Sequence, residues 1–168
     1  MLQQGGEGGG GGGNVTNIAD ALHGEIRNYT LTPRSNQRGD LNSFFNDLRG
    51  ELEDIVRTEI SRRHAIKVSS SAHVQFTREN FDSDEEEQND AHFNIPALVA
   101  LASDDISLLI HNIFEGIKSR IESYEGVGSG WVFDLIFDLE ITVYTYNPLG
   151  GGTFIPTSSK LSIKTWYY

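Results

Sequence analysis

From Trp131 to Val143 every odd-numbered residue is apolar: Trp131, Phe133, Leu135, Phe137, Leu139, Ile141 and Val143. Asp134, Asp138, Glu140 and Thr142 hold even positions between them. Side chains alternate across a β-strand, so a period of two over this length predicts a strand with one buried face. The alternation blurs at Tyr144-Thr145-Tyr146. A strand is therefore expected from about Phe137 to Tyr146, with Val132–Ile136 open to a turn of helix instead. Ile66, Val68, Ser70, Ala72, Val74 and Phe76 repeat the pattern, alternating with Lys67, Ser69, Ser71, His73 and Gln75.

Two segments keep the helical period. Leu41, Phe44, Phe45, Leu48, Leu52, Ile55, Val56 and Ile60 recur at steps of three and four behind Asp40, a good N-cap, and predict a helix to about His64. Ile106, Leu109, Ile110, Ile113, Phe114, Ile117 and Ile121 predict a second. Ser103 is its expected cap, Asp104 and Asp105 suit the positive end of its dipole, and Gly126 or Gly128 ends it. Asn147-Pro148-Leu149-Gly150-Gly151-Gly152 reads as a turn, followed by short strands at Thr153–Ile155 and Leu161–Tyr167. The expected fold is α+β, with two amphipathic helices packed on one face of a small antiparallel sheet.

The 168 residues allow one domain. Residues 5–13 are glycine except for Glu7 and have nothing to bury. Residues 1–36 are expected to be a disordered, Gly-rich tether, with a short helix at Val15–Ile26 where Ile18, Leu22 and Ile26 recur every four residues. Residues 37–168 then form a single α+β domain. Within it, residues 79–90 carry seven acids and no base and predict a solvated acidic loop extending to about residue 92.

The chain has 13 Lys+Arg against 24 Asp+Glu, a net charge of −11, which excludes whole-surface nucleic-acid binding. Cysteine is absent, so disulfides and thiol chemistry are excluded. The start, MLQQGGEGG, has no basic or apolar signal region, and no apolar run approaches membrane-spanning length. The expectation is a soluble intracellular protein, nuclear or cytoplasmic, without membrane contact. Asn14-Val-Thr and Asn28-Tyr-Thr match the glycosylation sequon by chance on this reading.

Candidate chemistry is sparse. Asp134, Asp138 and Glu140 on one strand face, with Lys160 and Lys164 on an expected neighbour, have the composition of a Mg²⁺-dependent nuclease site. They equally suit the wet side of a one-sided sheet, which is the reading preferred here. None of His23, His64, His73, His92 and His111 falls at ligand spacing. Gly150-Gly151-Gly152 precedes a strand rather than a helix and lacks a following Gly-Lys-Ser/Thr, so it is no phosphate cradle. No catalytic residue, metal or cofactor is expected. Residues 27–78 hold nine bases to six acids, and Arg57, Arg62, Arg63 and Lys67 gather at a helix–strand junction. They suit phosphate contacts or pairing with the acidic loop, and the reading preferred here is a solvated helix end whose cations suit the negative dipole. Trp131 and Trp166 are candidate stacking or partner residues.

The segment Gly128-Ser129-Gly130-Trp131, then about ten alternating residues, then Tyr146-Asn147-Pro148-Leu149-Gly150-Gly151-Gly152-Thr153-Phe154-Ile155-Pro156, carries a likeness. It resembles a module found upstream of family-B DNA polymerases in Maverick/Polinton-like mobile elements and related viruses of invertebrates. The chain departs from that pattern at Ile155-Pro156-Thr157, which lacks the I-x-L-P spacing. The resemblance implies association with DNA replication and carries over no catalytic residue. The expected function is a non-catalytic accessory or recognition module whose partner is a protein or nucleic acid. A structural, oligomerising or capsid-associated protein is the alternative, and a metal-dependent nuclease the third.

Overall fold

The computed structural model describes residues 15–80, 85–126 and 128–147. Strands β1 (Val15–Ala21), β2 (Ile26–Leu31), β3 (Ala65–Asn80), β4 (Glu85–Leu101) and β5 (Val132–Thr145) form one antiparallel sheet in the order β1-β2-β5-β3-β4. Helix α1 (Leu41–Arg63) links β2 to β3, and α2 (Ile106–Tyr124) links β4 to β5. The fold is α+β, as the periodicities predict.

Both helices bury the stripes read from the sequence. Phe44, Phe45, Leu48, Leu52, Val56 and Ile60 of α1 join all seven apolar residues of the α2 stripe in one hydrophobic cluster. The rings of Phe45 and Phe114 stack at 4.4 Å where the helices meet. Asp40 caps α1, its carboxylate accepting from the Ser43 amide at 3.0 Å. On α2 the cap is Asp105, which accepts from Leu108 N at 3.1 Å, and not Ser103. Asp104 instead accepts from Leu101 N at 2.8 Å, closing the turn before the helix.

Helix α1 passes into β3 through His64 alone, whose φ of 66° reverses the chain. Along β3, Ile66, Val68, Ser70, Ala72, Val74 and Phe76 are buried while the odd positions stay partly exposed, as expected.

Four expectations are corrected. Residues 15–31 are neither tether nor helix: β1 and β2 form a hairpin at one side of the sheet, and Tyr29 and Leu31 enter the core. The four-residue recurrence there is incidental, since Ile18 and Leu22 are 56% and 67% exposed. Sheet pairing outweighs a weak local preference. Residues 85–92 of the acidic segment are no loop either, because Glu85 to His92 form the first half of β4, in register with Asn80 to His73; residues 81–84 lie outside the described residues. As β4 lies at the sheet margin, its acids reach solvent without leaving the ladder.

Third, Val132–Ile136 is strand and not helix. Fourth, the odd-numbered alternation on β5 fails at two bulges. His73 faces Asp138 and Val74 faces Ile136, leaving Phe137 extra; Gln75 faces Leu135 and Phe76 faces Phe133, leaving Asp134 extra. Each extra residue reverses the parity. The core side therefore takes Val143, Ile141, Leu139, Ile136 and Phe133, while Leu135 and Phe137 fall among the polar side chains of β3. The bulge lies where the partner of β5 changes. Its pairing with β2 stops at Leu139, and the Ile136 amide donates to Arg38 O at 2.9 Å. The residues from 1 to 14 and the expected strands after Pro148 lie outside the described residues.

Ser70 is 4% exposed, and its hydroxyl has no hydrogen-bond partner among the described residues. A buried unmade hydrogen bond costs about 1–3 kcal/mol. Ser70→Ala is expected to raise the unfolding free energy by about 1 kcal/mol in a urea titration. A loss of stability would mean that the hydroxyl is satisfied.

Candidate functional site

The arginines at the end of α1 do come together, but around a carboxylate of their own helix. Glu59 is fully buried. Arg63 Nε lies 2.8 Å from its Oε2, and Arg62 Nη1 and Arg27 Nη1 lie 3.3 and 2.9 Å from its Oε1. The Tyr29 hydroxyl donates to the same Oε1 at 2.6 Å. Arg63 also donates to Glu25 O at 2.8 Å and to Thr145 Oγ1 at 3.2 Å, and its side chain is only 7% exposed. It is therefore committed inside the fold. Arg62 stays half exposed, and Arg57 is exposed and pairs with Glu53 one turn earlier at 3.7 Å. Lys67 places its ammonium 4.8 Å over the Tyr146 ring.

Charge and burial perturb this cluster. Desolvation, then its hydrogen bond to Glu59, holds the Tyr29 phenol above the usual tyrosine range. Arg27, hydrogen-bonded to Asp20, is held more firmly protonated than an ordinary arginine, and the same bond draws Asp20 below the ordinary carboxylate range.

Trp131 sits far from this group. Thr77 pairs with Val132 and Lys67 with Tyr144, so ten residues of β3, about 33 Å, separate the two ends. The Arg78 guanidinium lies 4.6 Å from the Trp131 ring centroid and pairs with Glu87, whose carboxyl it lowers. The glycines of Gly128-Ser129-Gly130 are explained here. Gly128 and Gly130 have φ of +92° and +68°, and a Cβ on Gly130 would lie 3.1 Å from Arg78 Cδ. Ser129 Oγ accepts from the Trp131 amide at 3.2 Å. A polar cleft of about 970 Å³ opens beside them, lined by Thr77, Asn80, Glu86 and Glu87 among others.

At the other end the Tyr146 amide donates to Ala65 O at 3.0 Å, and Asn147 follows, exposed. Pro148, Gly150, Gly151, Gly152, Lys160, Lys164 and Trp166 lie outside the described residues.

The carboxylates of β5 are dispersed by the bulges. Asp134 is an extra residue with no cross-strand partner on β3, whereas Asp138 and Glu140 lie opposite His73 and Ser71. Among the described residues no group of three or more His, Asp or Glu side chains converges as a metal site would require. Asn28, half of the second sequon, is on the internal strand β2, where its side chain accepts from Thr142 Oγ1 at 3.4 Å.

A ring column on the polar side of the sheet was not foreseen. His73 stacks on His92 of β4 at 4.3 Å and 9°, and lies 4.5 Å from Phe137 of β5 with the rings tilted by 34°. Its Nε2 is 3.4 Å from Asp90 Oδ2 and its Nδ1 3.8 Å from Asp138 Oδ2. Residues 79–92 had been expected to form a loop, so nothing indicated that His92 lies opposite His73, and Phe137 counts as core unless the bulge is known.

No protein-family model, curated protein or solved structure matches this chain.

Removing the carboxylate at the centre of a buried ion cluster leaves uncompensated charge, at about 3–5 kcal/mol. Glu59→Gln is expected to destabilise the chain by that amount in urea unfolding, and a cost below 1 kcal/mol would contradict the cluster's role. The Tyr29 pKa is raised in the fold, so its contribution is complete below the unfolded value, about 10, and is lost as pH rises beyond it. Stability is expected to fall above pH 10 more steeply in the wild type than in Tyr29→Phe, measured by thermal melts. Parallel profiles would refute the assignment.

Proposed function

We propose that this chain is a non-catalytic recognition module in which both helices cover the core side of the sheet and the opposite side docks a protein partner. The observation that carries this reading is the uncovered sheet surface itself. Odd positions of β3, with their neighbours Asn94 and His92 on β4 and Thr142 and Glu140 on β5, are partly or fully exposed and belong to no hydrophobic cluster. The surface is flat and rich in Ser, Thr, Asn and His, composed like the polar rim of an interface rather than a reaction cleft.

Two further observations favour a protein over DNA. Of the cations suited to phosphate contact, Arg63 is spent on Glu59 and Lys67 lies over Tyr146, which leaves Arg57 and Arg62 at the surface, and the stacking candidate Trp131 is at the far end of the sheet. The bulges that set Asp134 apart from Asp138 and Glu140 weigh against a nuclease among the described residues. The resemblance at Gly128–Trp131 and Tyr146–Pro156 supports a replication setting in a virus-like mobile element. An oligomeric role through the β4 margin is less favoured, because Glu85, Glu86, Glu87 and Asp90 would repel a second copy. No helix among the described residues is long and apolar enough to cross a membrane.

The test uses a family-B DNA polymerase from a mobile element of the kind the resemblance implies. Co-elution of the two proteins in size-exclusion chromatography is expected, together with its loss in Ser71→Trp at an unchanged melting temperature. Complex formation indifferent to that substitution would sink the docking reading. Supercoiled plasmid incubated with the chain and Mg²⁺ is expected to stay intact, whereas nicking abolished by Asp138→Asn would establish the nuclease instead.

A further inference from the structure

Resting on that reading, the geometry points to the chemistry of the partner: the uncovered sheet surface is built to hold an extended cationic polypeptide segment, with Arg or Lys at alternate positions. Parity along β3, β4 and β5 places Glu79, Glu86, Asp90, Asp138 and Glu140 on this side. Among the described residues Lys67 is their only cationic companion at neutral histidine, and it is drawn over Tyr146. Glu79 and Glu86 face each other directly across the ladder, a like-charge pairing that costs stability unless a cation relieves it. Such a surface repels a phosphate backbone and attracts a basic chain.

The rings supply what charge alone does not. His92, His73 and Phe137 run as a continuous column across three adjacent strands. A guanidinium is planar and weakly hydrated, so it stacks on such faces while its edges donate to carboxylates. Asp138 flanks the column, and Glu140 lies two residues further along β5, about 7 Å away. That is also the distance between residues i and i+2 of an extended peptide, so one basic side chain can lie over the rings while the next reaches Glu140. Phe137 takes part only because the bulge turns it out of the core.

Fluorescence anisotropy of the full chain against a labelled eight-residue peptide of alternating Arg and Ser, at 50 mM salt, tests this directly. The peptide is expected to bind, and Asp138→Asn/Glu140→Gln to weaken it at least tenfold. Glu115→Gln/Glu122→Gln on α2, which removes the same charge elsewhere, is expected to leave binding within twofold. A peptide of alternating Glu and Ser, and a single-stranded oligodeoxynucleotide, are expected to give no signal. Equal loss in both double variants would reduce the interaction to net charge and overturn the proposal. An oligonucleotide whose binding is lost in His73→Ala would also overturn the cationic partner, yet leave the docking surface standing. Failure of the cationic peptide beside a polymerase complex that Ser71→Trp breaks would separate the two claims in the same way.

Discussion

The register of β5 is the constraint on which the rest depends. It lies between β2 and β3 at the centre of the sheet, so its parity decides which residues join the hydrophobic cluster and which do not. A strand has only two sides, and a one-residue slip exchanges them. The bulge at Phe137 performs that exchange once and the bulge at Asp134 performs it again. Ile136 and Phe133 join the cluster with Phe76 and Val74, and the sheet gains an aromatic residue on a side composed mostly of polar and acidic residues. Without the first bulge, Phe137 would enter a core already close-packed around Phe44, Phe45, Phe76 and Phe114, where extra volume is costly.

A second constraint ties the N-terminal hairpin to this arrangement. Glu59 gathers Arg27 and Tyr29 from β2 and Arg62 and Arg63 from its own helix. Burying these charges gains little net stability, but the pairing is hard to satisfy in any other register. It fixes β2 against the last turns of α1 and, through the Arg63 bonds to Glu25 and Thr145, against the end of β5. Of the four cations gathered there in the sequence, Arg62 and Arg63 thus serve to hold the sheet on its helix, while Arg57 and Lys67 lie outside the Glu59 cluster.

Much of this was legible because periodicity is a local property. The stripes of α1 and α2, the Asp40 cap and the alternation of β3 depend on residues a few positions apart, and the structure keeps all of them. The hairpin, the acidic half of β4 and the bulges were not legible, because each is settled by a distant partner. Ile26–Leu31 is a strand because β5 pairs with it, and Glu85–Asp90 because β3 runs alongside. Of the site, the clustering of Arg57, Arg62 and Arg63 could be read, but not its purpose. One signal was present, since Glu59 precedes Arg62 and Arg63 by three and four residues, the spacing of neighbours on a helix. The His92–His73–Phe137 column left no sequence signal, because it needs both a strand pairing and a bulge.

The central claim is that Phe137 lies on the polar side of the sheet, beside His73. An isotope-edited nuclear Overhauser spectrum of the full chain measures this. Phe137 ring protons should show cross-peaks to His73 ring protons and none to Ile110, Ile113 or Phe114, while the Ile136 methyls connect to Val74. Cross-peaks from Phe137 to those α2 side chains, with Ile136 facing solvent, would mean an unbroken alternation on β5 and would contradict the account.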